Sequence, residues 1–143
     1  MNVKRIALYV IGGALVLFLL IQLIPFGHNR ANPPVVSEPD WSSPQALAVV
    51  KQHCFQCHSN ETNWYWYTNI APGSWLIAND VIEGRQTFNF SDWKSNPGEL
   101  DEMIEAVQEG EMPPFQYWIF HPQERMNDQQ KQEVIDALQS SLQ

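Results

Sequence analysis

The sequence predicts a small all-α domain carried behind one N-terminal membrane-crossing helix. Three observations lead there: an uncharged apolar run at the start, several stretches with helical spacing of apolar residues after it, and no convincing alternating strand anywhere. At 143 residues the chain has room for one domain.

The apolar run covers residues 6–24 (IALYVIGGALVLFLLIQLI), nineteen positions in which Gln22 is the one strongly polar side chain. As a helix it spans roughly 28 Å, close to the hydrocarbon thickness of a bilayer. Lys4 and Arg5 precede it, so the positive-inside rule keeps that end in the cytoplasm and sends the rest of the chain outward. A cleaved signal peptide is the competing reading. It would have a shorter apolar middle and a small-x-small cleavage site, which PFGHNRANPP does not supply. Residues 1–26 are therefore read as a signal-anchor, and both readings place the domain outside the cytoplasm.

Residues 27–43 (GHNRANPPVVSEPDWSS) contain three prolines and little periodicity, which reads as a semi-extended tether. Residues 44–143 form the globular part. Ser43 is an N-cap with Pro44 at the first helical position, and Ala46, Leu47, Val49 and Val50 give an apolar face leading to Cys54. A second helix covers residues 74–83 and stops at Gly84. A third covers 99–109, with Leu100, Met103, Ile104 and Val107 on one face before Gly110. The fourth opens with a capping box, Asn127 and Gln130, and buries Val134, Ile135 and Leu138.

The charge is unevenly distributed. Eight Lys and Arg against sixteen Asp and Glu give a net charge of −8, which argues against a nucleic-acid binder. Residues 1–30 hold Lys4, Arg5 and Arg30 with no acid, leaving −11 on residues 31–143. A surface so acidic favours partners with basic docking faces, in associations that weaken as salt rises.

Residues 54–58 (CFQCH) are C-x-x-C-H, the attachment sequence for c-type haem. Two thiols three positions apart add to two vinyl groups of the porphyrin, and His58 swings its imidazole under the iron. A thioredoxin-like dithiol needs a βαβ context that is missing. Zinc needs a fourth ligand that no second C-x-x-C or paired histidine provides. A disulfide over so short a loop contributes little. For the sixth iron position, Met112 follows a helix that ends at Gly110 and precedes Pro113 and Pro114, which restrict the loop that presents its thioether. A core-filling role is the alternative for Met112, and His121 is the alternative ligand. Met103 reads as core, His53 as pointing away from the site and His28 as solvated.

These residues resemble the small bacterial haem-binding domain proteins, which are cytochrome-c-like, monohaem and often membrane-tethered. The likeness runs from about Ser43 to Leu138 and rests on CFQCHSNETNWYWYTNIAPGSWLIANDVIEGRQTFNFSDW and GEMPPFQYWIFHPQERMNDQQKQEVIDAL. It implies one haem c held covalently by Cys54 and Cys57, with His58 as proximal and Met112 as distal ligand. The chain departs from the family's habit at Tyr65, where a proline is common, and at Gly73, where a larger residue is common.

By the same resemblance the carbonyl of Pro72 is the candidate acceptor for the second N–H of His58, with an ordinary turn proline as the alternative. Tyr67 and Trp75, in the aromatic cluster 63–75, are candidates for packing on haem and bonding its propionates, with an ordinary core role as the alternative; Arg85 is a candidate for neutralising a propionate, with a solvated arginine as the alternative. The expected function is single-electron transfer between extracytoplasmic partners, at a bacterial inner membrane with the domain on the periplasmic side. A haem-based sensor or peroxidase-like protein with an exchangeable sixth ligand is the alternative.

Overall fold

The computed structural model describes residues 2–143. Seven α-helices are present among them: α1 (Val3–Ile21), α2 (Pro44–His53), α3 (Phe55–His58), α4 (Gly73–Thr87), α5 (Leu100–Glu109), α6 (Phe115–Phe120) and α7 (Asp128–Leu142). Short 3-10 turns cover Trp66–Asn69 and Pro122–Glu124. The one β-type pairing among the described residues is an isolated bridge between Ser37 and Asp92, so the fold is all-α as expected.

The chain divides into two compact units, one of residues 1–30 and 64–78, the other of residues 31–63 and 79–143. In the first unit, α1 is long and apolar enough to cross a membrane and buries none of its residues. Gln22, just past its end, donates to the Ala71 carbonyl (3.1 Å) and accepts from the Ala71 N–H (2.9 Å). Arg30 donates to the Thr68 carbonyl and the Asn69 side chain. Gly27 has φ 77°, and a Cβ there would lie 2.8 Å from the Ser74 carbonyl oxygen, so glycine is required on both counts.

The second unit is built on α2, α5 and α7. Ser43 caps α2 by accepting from the Ala46 N–H (3.1 Å), with Pro44 at the first helical position. The α7 capping box is complete: Asn127 accepts from Gln130 N–H (2.9 Å) while the Gln130 side chain accepts from Asn127 N–H (3.0 Å). Helix α5 ends at Gly110 in the left-handed region, φ 80°. Val50, Phe55, Phe90, Val107, Val134 and Leu138 form the centre of the core. Phe90 stacks on Phe55 with centroids 5.3 Å apart and meets Trp41 at 5.4 Å.

Three expectations change. Gly84 does not end α4, which continues to Thr87. Helices α3 and α6 are too short to carry a readable apolar period. Residues 31–43 are extended as predicted, but they are fastened to the second unit. Val36 and Ser37 N–H both donate to the Ser91 carbonyl (2.8 and 3.2 Å), Trp93 N–H donates to the Ser37 carbonyl (3.0 Å), and Trp41 enters the aromatic core. Prolines forbid a helix here, yet an extended chain still offers its backbone groups to a neighbour.

Candidate haem site

Helices α2 and α3 meet at Cys54, whose N–H still bonds the Val50 carbonyl (2.9 Å) while its own carbonyl accepts from His58 N–H (3.0 Å). This one turn sets Cys54, Cys57 and His58 on the wall of a cavity of about 500 Å³, within the ~300–1,000 Å³ usual for cofactor sites. Phe88, Phe90, Val107 and Leu138 give it an apolar interior, and Glu83, Glu99 and Glu102 also line it. Met112 lines the same cavity from the turn after α5, where its N–H donates to the Ala106 carbonyl (3.2 Å). Met103 of α5 lines it too, buried at 7% exposure against 39% for Met112.

The His58 ring is fixed from two sides. Nδ1 lies 2.9 Å from the Gly84 carbonyl oxygen, and the ring stacks on Phe88 at 4.0 Å between centroids with planes 9° apart. With Nδ1–H donated to that carbonyl, Nε2 is the nitrogen left to bind iron. Gly84 also allows the close approach of α4: a Cβ there would sit 2.7 Å from the Cys57 carbonyl oxygen. The glycine is therefore needed in mid-helix because the attachment turn lies against it. In the sequence Gly84 reads as a helix stop, and the signal against that reading is a glycine inside an otherwise unbroken helical pattern.

The acceptor for His58 is thus Gly84, not Pro72. Pro72 belongs to the first unit, where its carbonyl accepts from Trp75 N–H at 3.0 Å. Tyr67 and Trp75 also fall in that unit and are not among the lining residues. Arg85 does not line the cavity either. Its guanidinium clamps the loop after the attachment turn, donating to the Ser59 carbonyl (2.8 Å), the Asn32 side chain (2.8 Å) and Thr62 Oγ1 (2.9 Å). An arginine with that many fixed acceptors has a structural task. His121, the alternative ligand, is buried against Tyr117 (4.7 Å between ring centroids) and is not among the lining residues.

Burial pushes both thiols up to about 12, Cys57 further influenced by Asp80, which raises it, and by Arg85, which lowers it. A dithiol redox site needs the reverse, a lowered thiol. A zinc centre would need a fourth ligand, and among the described residues no group of three or more His, Cys, Asp or Glu side chains is gathered to hold a metal ion. Two thiols, an imidazole held through Nδ1 and a thioether around a largely apolar cavity do fit haem c.

A family model described as a haem-binding domain matches residues 16–140, most of the chain. The chain belongs to this haem-binding domain family. No curated protein and no solved structure matches it. The family match agrees with the cavity, and together they make this a membrane-anchored, all-α haem-binding domain with a c-type attachment site at Cys54 and Cys57.

His53, which also lines the cavity, gives the domain an acid-sensitive edge. Burial holds its pKa below the ordinary 6.5, although Glu124 and Glu133 pull it up, and Glu124 Oε2 stands 3.5 Å from Nδ1. The unfolded chain therefore takes up a proton before the folded one does. Stability falls as pH drops below about 6.5 and stops falling once the folded group protonates. Denaturant midpoints measured between pH 7 and pH 5 are expected to decline, and His53→Gln to flatten the decline. Asp80, raised by burial, acts with the opposite sign in the lower carboxylate range.

Proposed function

We propose that this haem-binding domain is a monohaem c-type cytochrome that carries single electrons between redox partners outside the cytoplasm. The observation that carries the reading is the shared cavity, which has the attachment turn on one wall and Met112 on another. When bound, haem supplies one-electron exchange between ferric and ferrous iron.

The chain's own residues do the rest. Cys54 and Cys57 would hold the porphyrin and His58 would bind its iron through Nε2, while the Gly84 carbonyl and the Phe88 ring keep the imidazole from turning. Met112, on the wall of the same cavity, would supply the second protein ligand to the iron, which favours a carrier over a sensor or peroxidase. Phe88, Phe90, Val107 and Leu138 line the cavity with apolar surface and would keep water from the group, which would raise its potential by disfavouring the more highly charged oxidised state.

Lys4 and Arg5 retain the N-terminus in the cytoplasm, so the domain faces the periplasmic side of a bacterial inner membrane. The carboxylates Glu83, Glu99 and Glu102 beside the cavity give its surroundings a negative field suited to basic partners. Stopped-flow oxidation of the reduced, full-length protein by small metal complexes of opposite charge tests this. The rate with a cationic oxidant should fall several-fold on raising salt from about 10 mM to 1 M, as screening shortens the reach of the field. The rate with an anionic oxidant should rise. Salt-independent rates with both would remove the acidic docking face, and failure to exchange electrons would remove the carrier reading.

A further inference from the structure

None of residues 64–76 is among those lining the cavity, and in its own unit this aromatic segment is fastened to the exit end of the anchor. The Gln22 amide pairs with both backbone groups of Ala71, and Arg30 holds Thr68 and Asn69. Helix α1 has 19 residues and spans about 28 Å, so Gln22 stands at the outer boundary of the hydrocarbon. Ala71, hydrogen-bonded to it, stands at that level too.

Around this point large apolar side chains are exposed: Trp66 at 75%, Leu76 at 56% and Ile70 at 40%, beside Leu23 and Ile24 on the anchor's own continuation. Tyr65 and Tyr67 stack on each other at 5.6 Å, and Trp66 meets Tyr67 edge-on at 5.9 Å. The unit holds Lys4, Arg5 and Arg30 and no carboxylate side chain, while all sixteen acids lie in the other unit. Trp and Tyr favour the headgroup level of a bilayer, where one end of the ring is apolar and the other wet, and a surface without acids approaches lipid phosphates at no electrostatic cost.

We propose that residues 64–76 form a bilayer-interface foot, with Trp66, Ile70 and Leu76 set among the lipid headgroups of the membrane that α1 crosses. Continuity with the anchor through Gln22 selects lipid as the occupant over a soluble partner. The inference needs the membrane anchor and is independent of the electron-transfer reading.

The test uses the full-length, haem-loaded chain in phosphatidylcholine nanodiscs, where Cys54 and Cys57 are consumed by thioethers and W66C takes a nitroxide label. Its accessibility to oxygen, relative to a water-soluble nickel reagent, is compared with that of a label at exposed Gln108 in the other unit. The ratio is expected to be several-fold higher at position 66. Equal, water-like ratios at both positions would overturn the proposal. Protection that appears only after a second membrane protein is added would also overturn it, in favour of a protein partner. If W66C alters the visible spectrum, the same comparison at L76C decides.

Discussion

Met112→Ala is expected to convert a protein whose reduced form ignores carbon monoxide into one that binds it stoichiometrically, with loss of the low-spin His/Met spectrum and a lower reduction potential. In the proposed ligand set, the thioether is the one group this substitution removes from the iron. The loop should survive, because the backbone sets it: Met112 N–H donates to the Ala106 carbonyl, and the following Pro113 is buried. At 39% exposure the side chain also contributes little to the core. Met103→Leu is the matched control. Met103 is buried and lines the same cavity, and a volume-conserving swap there costs under about 1.5 kcal/mol. Its spectrum should be unchanged. Were Met103→Leu to open the site and Met112→Ala to leave it closed, the ligand would be Met103.

Gly84→Ala is expected to destabilise the domain by about 1–3 kcal/mol, the range for forcing a methyl group into a packed position. In an exposed helix the same change would stabilise, since alanine is the better helix former by roughly 1 kcal/mol. The sign reverses because the new Cβ would lie 2.7 Å from the Cys57 carbonyl oxygen and about 3.0 Å from the Cys57 Cβ. Relief requires α4 to back away from the attachment turn, which stretches the 2.9 Å contact between the Gly84 carbonyl and His58 Nδ1. Lower thermal stability should therefore come with a shifted reduction potential, because the proximal imidazole loses the partner that fixes its orientation and basicity. A wild-type melting temperature with a wild-type potential would show that the glycine has neither role.

What could be read from the sequence was local. The C-x-x-C-H turn, the Ser43 cap with Pro44, the Asn127–Gln130 box and the apolar face of α5 each depend on residues within a few positions of one another, and all stand in the fold. What could not be read was tertiary. His58 and its acceptor Gly84 are 26 positions apart, and nothing local separates a glycine that ends a helix from one that admits a neighbouring backbone. Arg85 illustrates the same limit: its acceptors at Asn32, Ser59 and Thr62 are assembled only by folding. Aromatic density makes Tyr67 and Trp75 candidates for packing on haem, and the division of the chain places both in the unit with the anchor. The proline-containing stretch 31–43 carried one overlooked clue, Trp41, a large apolar ring with little reason to sit in a free tether.

The acidic balance also takes on more meaning from the fold. The sixteen carboxylates are confined to the unit that holds the cavity, and Glu83, Glu99 and Glu102 line that cavity. The unit containing the anchor has none. That division is what the proposed basic partners of one unit and the proposed lipid contact of the other require.

A covalent haem with His58 and Met112 as its protein ligands is tested most directly by the visible spectrum of the full-length, reduced protein at neutral pH, taken before and after carbon monoxide. A low-spin c-type spectrum that carbon monoxide leaves unchanged is expected. A Soret band that shifts on adding carbon monoxide would contradict it, because the sixth position would then be exchangeable and the protein a sensor or an enzyme.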